Sequence, residues 1–431
     1  MSAERFQAWQ DKKLYFECSV CHYAITQTYE EADRGEIRDC PACGSEATFG
    51  KAKNWIRPPG FAHPVSWEEE TSPDDQPARS YATRAKLVAP GPADAELWQD
   101  VTPRVRQDFQ RTHLLVTNAG PRQEGYTYCT RCGLIEPTAD PSGTIAGMHP
   151  KPYPDDREPN CRGGAATRGL VLGTDFISDV LLISLRVDEP LTLRPGYLAT
   201  DVALRTISEA LTLAATRRLE IEAGELQAEY RPALTQAGHH GLESEIYIYD
   251  TLAGGAGFAR RVGELGAPAL EDAIRLLEGC PADCDRSCYR CLRGFKNRFE
   301  HDLLDRHLGA SLLRYLVRGE DPILDKVRLE HAADRLFTDL SRHGIEGVRF
   351  QRNGRVDVAG IGTVEAPILV ESSSGPLIVG VHGPLTPDHA ADEVLRDVKE
   401  FSAEVPVLLV DEIVIARNLP HASRQVLNAV Q

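Results

Sequence analysis

The chain has 431 residues, 42% of them hydrophobic and 26% charged, which is enough apolar content and length for two to four domains with their own cores. A formal net charge of −16 excludes a protein that binds nucleic acid over its whole surface, because neutralisation of phosphates by Lys and Arg drives sequence-independent affinity. There is no basic leader followed by an apolar run, and no stretch of about 18 uninterrupted apolar residues, so the expectation is a soluble, cytoplasmic protein without membrane contact.

Residues 1–67 open with Cys18, Cys21, Cys40 and Cys43, two CxxC pairs between expected strands at 14–17 and 47–50. A CxxC turn brings two sulfurs within about 2.3 Å of one metal, and four thiolates close a tetrahedral zinc shell, so this segment reads as a structural zinc ribbon. Such ribbons often hold or contact nucleic acid, and a purely structural knuckle is an equal reading. An aromatic and proline passage follows at 55–61. The acidic stretch 68–77 has too little apolar content to fold alone and reads as a linker.

Residues 80–320 form the expected central unit. Short β-branched runs at 85–88, 113–118, 126–128 and 170–186 predict an antiparallel β region around Cys129, Cys132 and Cys161. Three thiolates need a fourth ligand, and His149, between Cys132 and Cys161, is the first choice. Water, His22 or His113 could complete the shell instead. An open site with bound water could in principle activate that water, but no HxE motif precedes this CxxC as a deaminase would require. Val202, Leu204, Ile207, Leu211, Ala214 and Ala215 share one helical face, predicting a helix over 201–218.

Strands at 226–230 and 245–250 lead into Gly254, Gly255 and Gly257 and a helix from 258. Glycines there let backbone N–H groups converge on the positive end of a helix, a candidate phosphate seat; the alternative is a tight strand-to-helix turn. No GK[ST] follows, so this is no Walker A loop. Helices at 269–277 and 302–316 then flank Cys280, Cys284, Cys288 and Cys291, which form a compact metal-tied knot. Arg286, Arg290, Arg293, Lys296 and Arg298 crowd the same segment with Tyr289 and Phe295. Fixed guanidiniums beside aromatic rings suit phosphates and bases, so these residues are the candidate DNA contacts. The alternative is a solvated face paired with Asp283, Asp285, Glu300 and Asp302. All eleven cysteines thus fall into three groups, implying about three zinc ions per chain in a reducing compartment rather than disulfides.

Residues 325–431 hold no cysteine. Helices at 329–343 and 392–401, strands at 348–351, 356–359, 368–371, 377–381 and 407–410, and a C-terminal helix predict a small α/β unit. Asp357, Glu365 and Glu371 resemble the acids with which restriction-type nucleases hold magnesium, but Ser373 occupies the place of the expected lysine. The unit reads as an inactive nuclease-like module, with a magnesium-dependent nuclease as the alternative. The whole is an α+β, multi-domain chain.

Ile248, Tyr249, Asp250 and Thr251 with the glycines after them, and the run Cys280, Cys284, Cys288, Tyr289, Cys291, Leu292, resemble the MrfA-type zinc-binding domain. That domain occurs at the C-terminus of certain superfamily 2 DNA helicases and in the DrmB subunit of DISARM phage-defence systems. Tyr128, Cys129, Cys132 and Gly133, then Cys161, Gly169, Leu172, Gly173, Thr174, Asp179, Leu181 and Leu182, are similar to the preceding segment of that family, so the resemblance spans roughly residues 55–306. It implies that Cys280 to Cys291 bind one zinc and that the domain works with a helicase on DNA. Since the sequence has neither a Walker A loop nor a DExH box, the resemblance implies a non-motor accessory subunit partnering a separately encoded superfamily 2 helicase. A scaffold whose zinc sites only support protein contacts is a further reading.

Overall fold

A computed structural model describes residues 13–27, 37–50, 52–57, 86–88, 97–120, 124–137, 144–153, 155–164, 166–234, 241–320, 322, 326–387, 389–390, 392–402 and 404–430. The expected linker at 68–77 and residues 58–61 of the aromatic passage lie outside them.

The first part of the chain supplies β1 (Lys13–Glu17), β2 (Ala24–Gln27), β3 (Lys53–Ile56), β4 (Lys86–Leu87), β5 (Gln99–Thr102), β6 (Val105–Asn118), β7 (Tyr126–Cys129), β8 (Ile135–Glu136), β9 (His149–Pro150), β10 (Asn160–Cys161) and β11 (Ala166–Arg186). After β11 come α1 (Leu198–Leu219), β12 (Leu226–Pro232), β13 (Glu243–Asp250), α2 (Phe258–Leu265), α3 (Ala267–Glu278) and α4 (Arg306–Arg318). β11 is the spine of an 11-stranded sheet. Within its second half Val180 to Ile183 read as a continuous apolar run because both faces are covered. Leu181, Ile183 and Leu185 join the helical core, while Val180 and Leu182 pack with Leu87, Leu114, Tyr247 and Tyr249 on the other face. Each such side chain contributes roughly 1.5–3 kcal/mol on burial.

Along this half β11 pairs antiparallel with β6 on one edge and β13 on the other, and β12 flanks β13. Its first half pairs with β7 and, through Val171 and Leu172, runs parallel to β3. The ribbon strands β3, β1 and β2 therefore continue the central sheet. Gly173 makes that junction possible, since a Cβ there would lie 2.7 Å from the Trp55 ring.

Helix α1 buries the predicted stripe, including Val202, Ile207 and Leu211, beneath the sheet with α3 and α4 packed alongside. It ends at Glu220, whose φ of 53° takes the left-handed cap conformation. The helix expected at 302–316 begins later, at α4, because Asp305 caps it by accepting from the His307 and Leu308 amides, both at 3.1 Å. Ahead of it, Arg298–Leu303 form a 3-10 turn.

The last unit comprises α5 (Lys326–Arg342), β14 (Arg349–Val358), β15 (Gly362–Ser372), β16 (Gly375–His382), α6 (Glu393–Phe401), β17 (Val407–Asp411), α7 (Glu412–Arg417) and α8 (Leu419–Val430). Its four-stranded sheet runs β14-β15-β16-β17 with the last pair parallel. One sheet face packs on Leu336, Leu340, Ile415 and Val426, the other on Leu395 and Val398. The strands expected at 348–351 and 356–359 are one strand, which passes through Asn353 at a φ of 52°. Leu385 and Ile413 insert into the central helical core, and Arg328 lies 3.7 Å from Asp305, tying the units together. Among the described residues no helix is long and apolar enough to cross a membrane.

Candidate metal centres and nucleic-acid groove

The fold gathers the cysteines into three tetrads: Cys18, Cys21, Cys40 and Cys43; Cys129, Cys132, His149 and Cys161; Cys280, Cys284, Cys288 and Cys291. In each, the four donor atoms lie within 4.8 Å of one another. A tetrahedron with metal–sulfur bonds of about 2.3 Å has edges of about 3.8 Å. Sulfur separations of 3.8 Å for Cys18–Cys43, 3.6 Å for Cys21–Cys40, 3.8 Å for Cys129–Cys161, 3.6 Å for Cys280–Cys284 and 3.7 Å for Cys288–Cys291 match that edge. They are far beyond a disulfide bond length. All three tetrads are thus compatible with zinc.

Local backbone builds these cages. Three CxxC turns close in the same way: the carbonyls of Cys18, Cys40 and Cys129 accept from His22, Gly44 and Gly133 at 3.1, 2.9 and 2.8 Å. Those closing residues have φ values of 58°, 70° and 83°, a region that glycine enters without steric cost. Amides of Val20, Ala42 and Leu134 point at the sulfurs of Cys18, Cys40 and Cys132, stabilising thiolate. Within a tetrad the thiols diverge. In the first, the bond with Cys21, then neighbouring amides, holds Cys40 down at about 5 while that same bond and burial push Cys21 up; in the second, burial pushes Cys132 up to about 12 while Cys161, despite burial, is held down by the Gly163 amide. Neighbouring thiolates repel one another, and a divalent cation is the chemistry that lets all of them ionise together.

In the second tetrad β9 and β10 pair His149 directly with Cys161. His149 Nδ1 lies 2.9 Å from the Gly147 carbonyl and Nε2 3.2 Å from Cys132 Sγ. Donation from Nδ1–H to that carbonyl leaves the Nε2 lone pair facing the sulfurs, the usual outer partner of a zinc-binding imidazole. His22 instead bonds Glu17 at 3.2 Å, and His113 sits in β6 opposite Ile177.

The third tetrad is held between α3 and α4 by Arg306, a buried guanidinium that the sequence reading missed. Its Nε donates to the Cys284 carbonyl at 2.6 Å, Nη1 to the Leu277 and Glu278 carbonyls at 3.3 Å each, and Nη2 to Asp283 at 2.6 Å. One side chain thereby caps the end of α3 and fixes the knot. Cys280 is held down at about 6, chiefly by the Cys284 amide. The loop after the knot is organised by buried Asn297, which accepts from the Gly294 amide at 2.8 Å and donates to the Leu292 carbonyl at 2.9 Å and to Glu209 at 2.8 Å.

That loop forms the wall of an open groove of about 760 Å³, lined by Arg290, Arg293, Lys296 and Arg298 together with Tyr289 and Phe295. The opposite wall comes from α1 and β12, including Arg217. The Arg298 guanidinium lies 4.3 Å from the Phe295 ring centroid and 4.4 Å from that of Phe299. Arg293 is braced by Ser287 at 2.9 Å, and Lys296 by the Ala223 carbonyl at 3.3 Å.

Three expectations are corrected. Arg286 does not line this groove; it pairs with Asp285 at 3.7 Å and its charge acts on Arg417, on the side facing the last unit. Gly254, Gly255 and Gly257 do make a strand-to-helix turn at positive φ, but the chain's own carboxylates fill the phosphate seat. Asp250 accepts from Ala256, Phe258 and Ala259, and Asp179 from Gly257 at 3.1 Å. Finally, the acids of the last unit do not all converge: Asp357 and Glu365 are diagonal neighbours on one face of the hairpin, but Glu371 lies at its other end. Asp357 pairs with Thr363, Glu365 with Arg355 and Glu371 with Arg349, which places the two ends of the hairpin about 26 Å apart at ~3.3 Å per residue. The carboxylates of Asp357 and Glu371 are engaged by Thr363 and Gln351.

Druantia protein DruE of Escherichia coli (strain UMEA 4076-1) is 28% identical over 442 residues, covering 97% of this chain and 22% of that protein, so the chain spans about a fifth of that relative's length. A crystal structure of the DUF1998 helicase MrfA bound to DNA aligns at 15% identity and a TM-score of 0.29, covering 51% of this chain and 23% of the other. The family model described as the MrfA Zn-binding domain matches residues 207–292, a narrower span than the 55–306 of the expected resemblance. These residues run from α1 to the end of the cysteine knot and include Cys280, Cys284, Cys288 and Cys291. The chain carries an MrfA Zn-binding domain, and the whole third tetrad lies inside it.

Proposed function

We propose that these 431 residues are a zinc-binding, non-motor part of a bacterial DNA-processing complex of the phage-defence kind, acting in the cytoplasm. They contact DNA through the groove beside the third tetrad. Its motor is a superfamily 2 helicase outside these residues, on a separate polypeptide as the family resemblance implies. The twelve residues of the three tetrads are the assigned zinc ligands, His149 among them, with one ion per tetrad.

The observation that carries this reading is the convergence of Arg290, Arg293, Lys296 and Arg298 with exposed aromatic rings on one groove whose wall is the metal knot. In a chain of net charge −16, so local a basic surface is what confined phosphate contact requires. The likeness to DruE and the MrfA Zn-binding domain support the same setting.

The test measures DNA binding and ATP hydrolysis side by side on the 431-residue chain. Binding at low salt without hydrolysis is expected, with Arg290→Glu combined with Arg298→Glu reducing affinity at least tenfold. DNA-stimulated ATP hydrolysis would overturn the non-motor assignment, and absence of DNA binding would overturn the groove.

A further inference from the structure

Resting on the DNA-contact reading, we infer that the groove is one half of a longer track for single-stranded nucleic acid, with phosphates held on one side of the third zinc knot and bases stacked on the other. The second half is a depression of about 420 Å³ lined by Arg217, Arg218, Arg275 and Arg290. Arg217 and Arg218 come from the end of α1 and Arg275 from the end of α3, so neither helix alone signals the cluster. The depression and the groove share Arg217, Arg290 and Cys291, which makes them continuous across the knot.

Charge and shape divide the track. In the depression four guanidiniums meet one carboxylate, Asp272, which Arg275 and, at 3.6 Å, Arg218 engage. Arg217 and Arg290 form no ion pair among the described residues. A polyanion supplies the missing counter-charge. Beyond the knot the character turns aromatic: Tyr289, Phe295 and Phe299 are 73%, 77% and 67% exposed. Large rings this exposed, clustered and rimmed by basic groups mark an interaction site. Arg298 lies against both phenylalanine rings and holds them as a platform. Duplex DNA keeps its base faces stacked inside, whereas a single strand presents a π-face from every base. The aromatic half therefore selects the unpaired strand, and the arginine half sets the backbone path.

The experiment is fluorescence anisotropy of the full 431-residue chain with a labelled oligo-dT of about 20 nucleotides and a duplex of equal length, at two salt concentrations. The strand should bind about tenfold more tightly than the duplex. Phe295→Ala with Phe299→Ala should cost the strand about tenfold and leave the duplex unchanged, whereas Phe295→Trp, with a larger stacking face, should strengthen strand binding. Arg218→Gln with Arg275→Gln should weaken binding and reduce the log–log salt slope by about 1.4, from two lost phosphate contacts at about 0.7 each. Zinc content and circular dichroism check that each variant is folded. Equal affinity for strand and duplex, or indifference to both the alanine and tryptophan variants, overturns the track while DNA contact stands. No binding of either nucleic acid by the wild-type chain would instead remove the proposed function beneath it.

Discussion

Replacing Arg306 with alanine tests whether the zinc knot is held from outside its own ligands. The side chain is 5% exposed and serves the Cys284, Leu277 and Glu278 carbonyls and Asp283. Asp283 is 97% exposed, so that ion pair is screened by solvent and contributes little. The three carbonyls matter more. Leu277 and Glu278 close α3, where the last carbonyls have no helical partner and a cation is favoured. The bond to Cys284, at 2.6 Å, is the shortest of the three. Hydrogen bonds to a charged donor contribute about 1.5–3 kcal/mol each, and the two at 3.3 Å belong at or below the bottom of that range. With the cavity left by the side chain, Arg306→Ala should cost about 3–5 kcal/mol in urea unfolding. Loss of an outer-shell anchor should also raise the rate or extent of zinc release to a chromogenic chelator by about 10- to 100-fold for one of the three ions. A cost under about 1 kcal/mol with unchanged zinc release would refute the reasoning.

Other outcomes follow from the same geometry. His149→Ala should lower zinc from three to two per chain by atomic absorption, His149→Cys should retain three, and His22→Ala and His113→Ala should have no effect; a full zinc content in His149→Ala would return the fourth ligand to one of the alternatives. Chelation should open residues 129–134 and 144–153 first, because their cluster is Cys129, Cys132, Cys161 and Ile145 with Leu134 and little else. Amide exchange checks this, and unchanged protection there would contradict it. Asp250→Ala should cost about 3 kcal/mol, since the Ala256, Phe258 and Ala259 amides lose their acceptor; a thermal midpoint equal to wild type would revive the glycine turn as a ligand seat.

What the sequence disclosed was what is local. The CxxC spacings, the apolar stripe of α1 and the run at 170–186 each encode a contact within a few residues or a period that burial imposes. The start of β11 was not legible, because Ala166 and Thr167 pair with β7 ahead of a register shift at Arg168 and Gly169, and the four residues carry little apolar signal. Arg306 looked like any helical arginine; its role depends on α3 ending nearly thirty positions earlier. The glycine turn was legible as a turn, but its occupancy was not, since one of the two carboxylates filling it, Asp179, comes from β11. Spacing also misled in the last unit, where the hairpin register carries Glu371 away from Asp357 and Glu365. Arg217, Arg218 and Arg275 went unnoticed because helix ends carry arginines for reasons of dipole alone, and only packing of α1 beside α3 brings them to Arg290.

The three tetrads also differ in what their metals support. Cys18, Cys40 and Cys43 form much of the small ribbon core, and Cys129, Cys132 and Cys161 most of the second cluster, so zinc there is the fold of its segment. Cys280 and Cys291 instead sit at the margin of the large helical core, whose Leu277, Leu308, Leu312 and Leu313 hold α3 and α4 together without them. Zinc at the third tetrad therefore fixes the loop that carries Arg290 to Arg298 more than it stabilises the domain. Cys284→Ser, at a half-buried ligand, should release that ion, leave the main thermal transition within a few degrees, and still lower DNA affinity about tenfold or more by freeing the basic loop. Loss of the transition together with the ion would show instead that the third metal, like the first two, is part of the core.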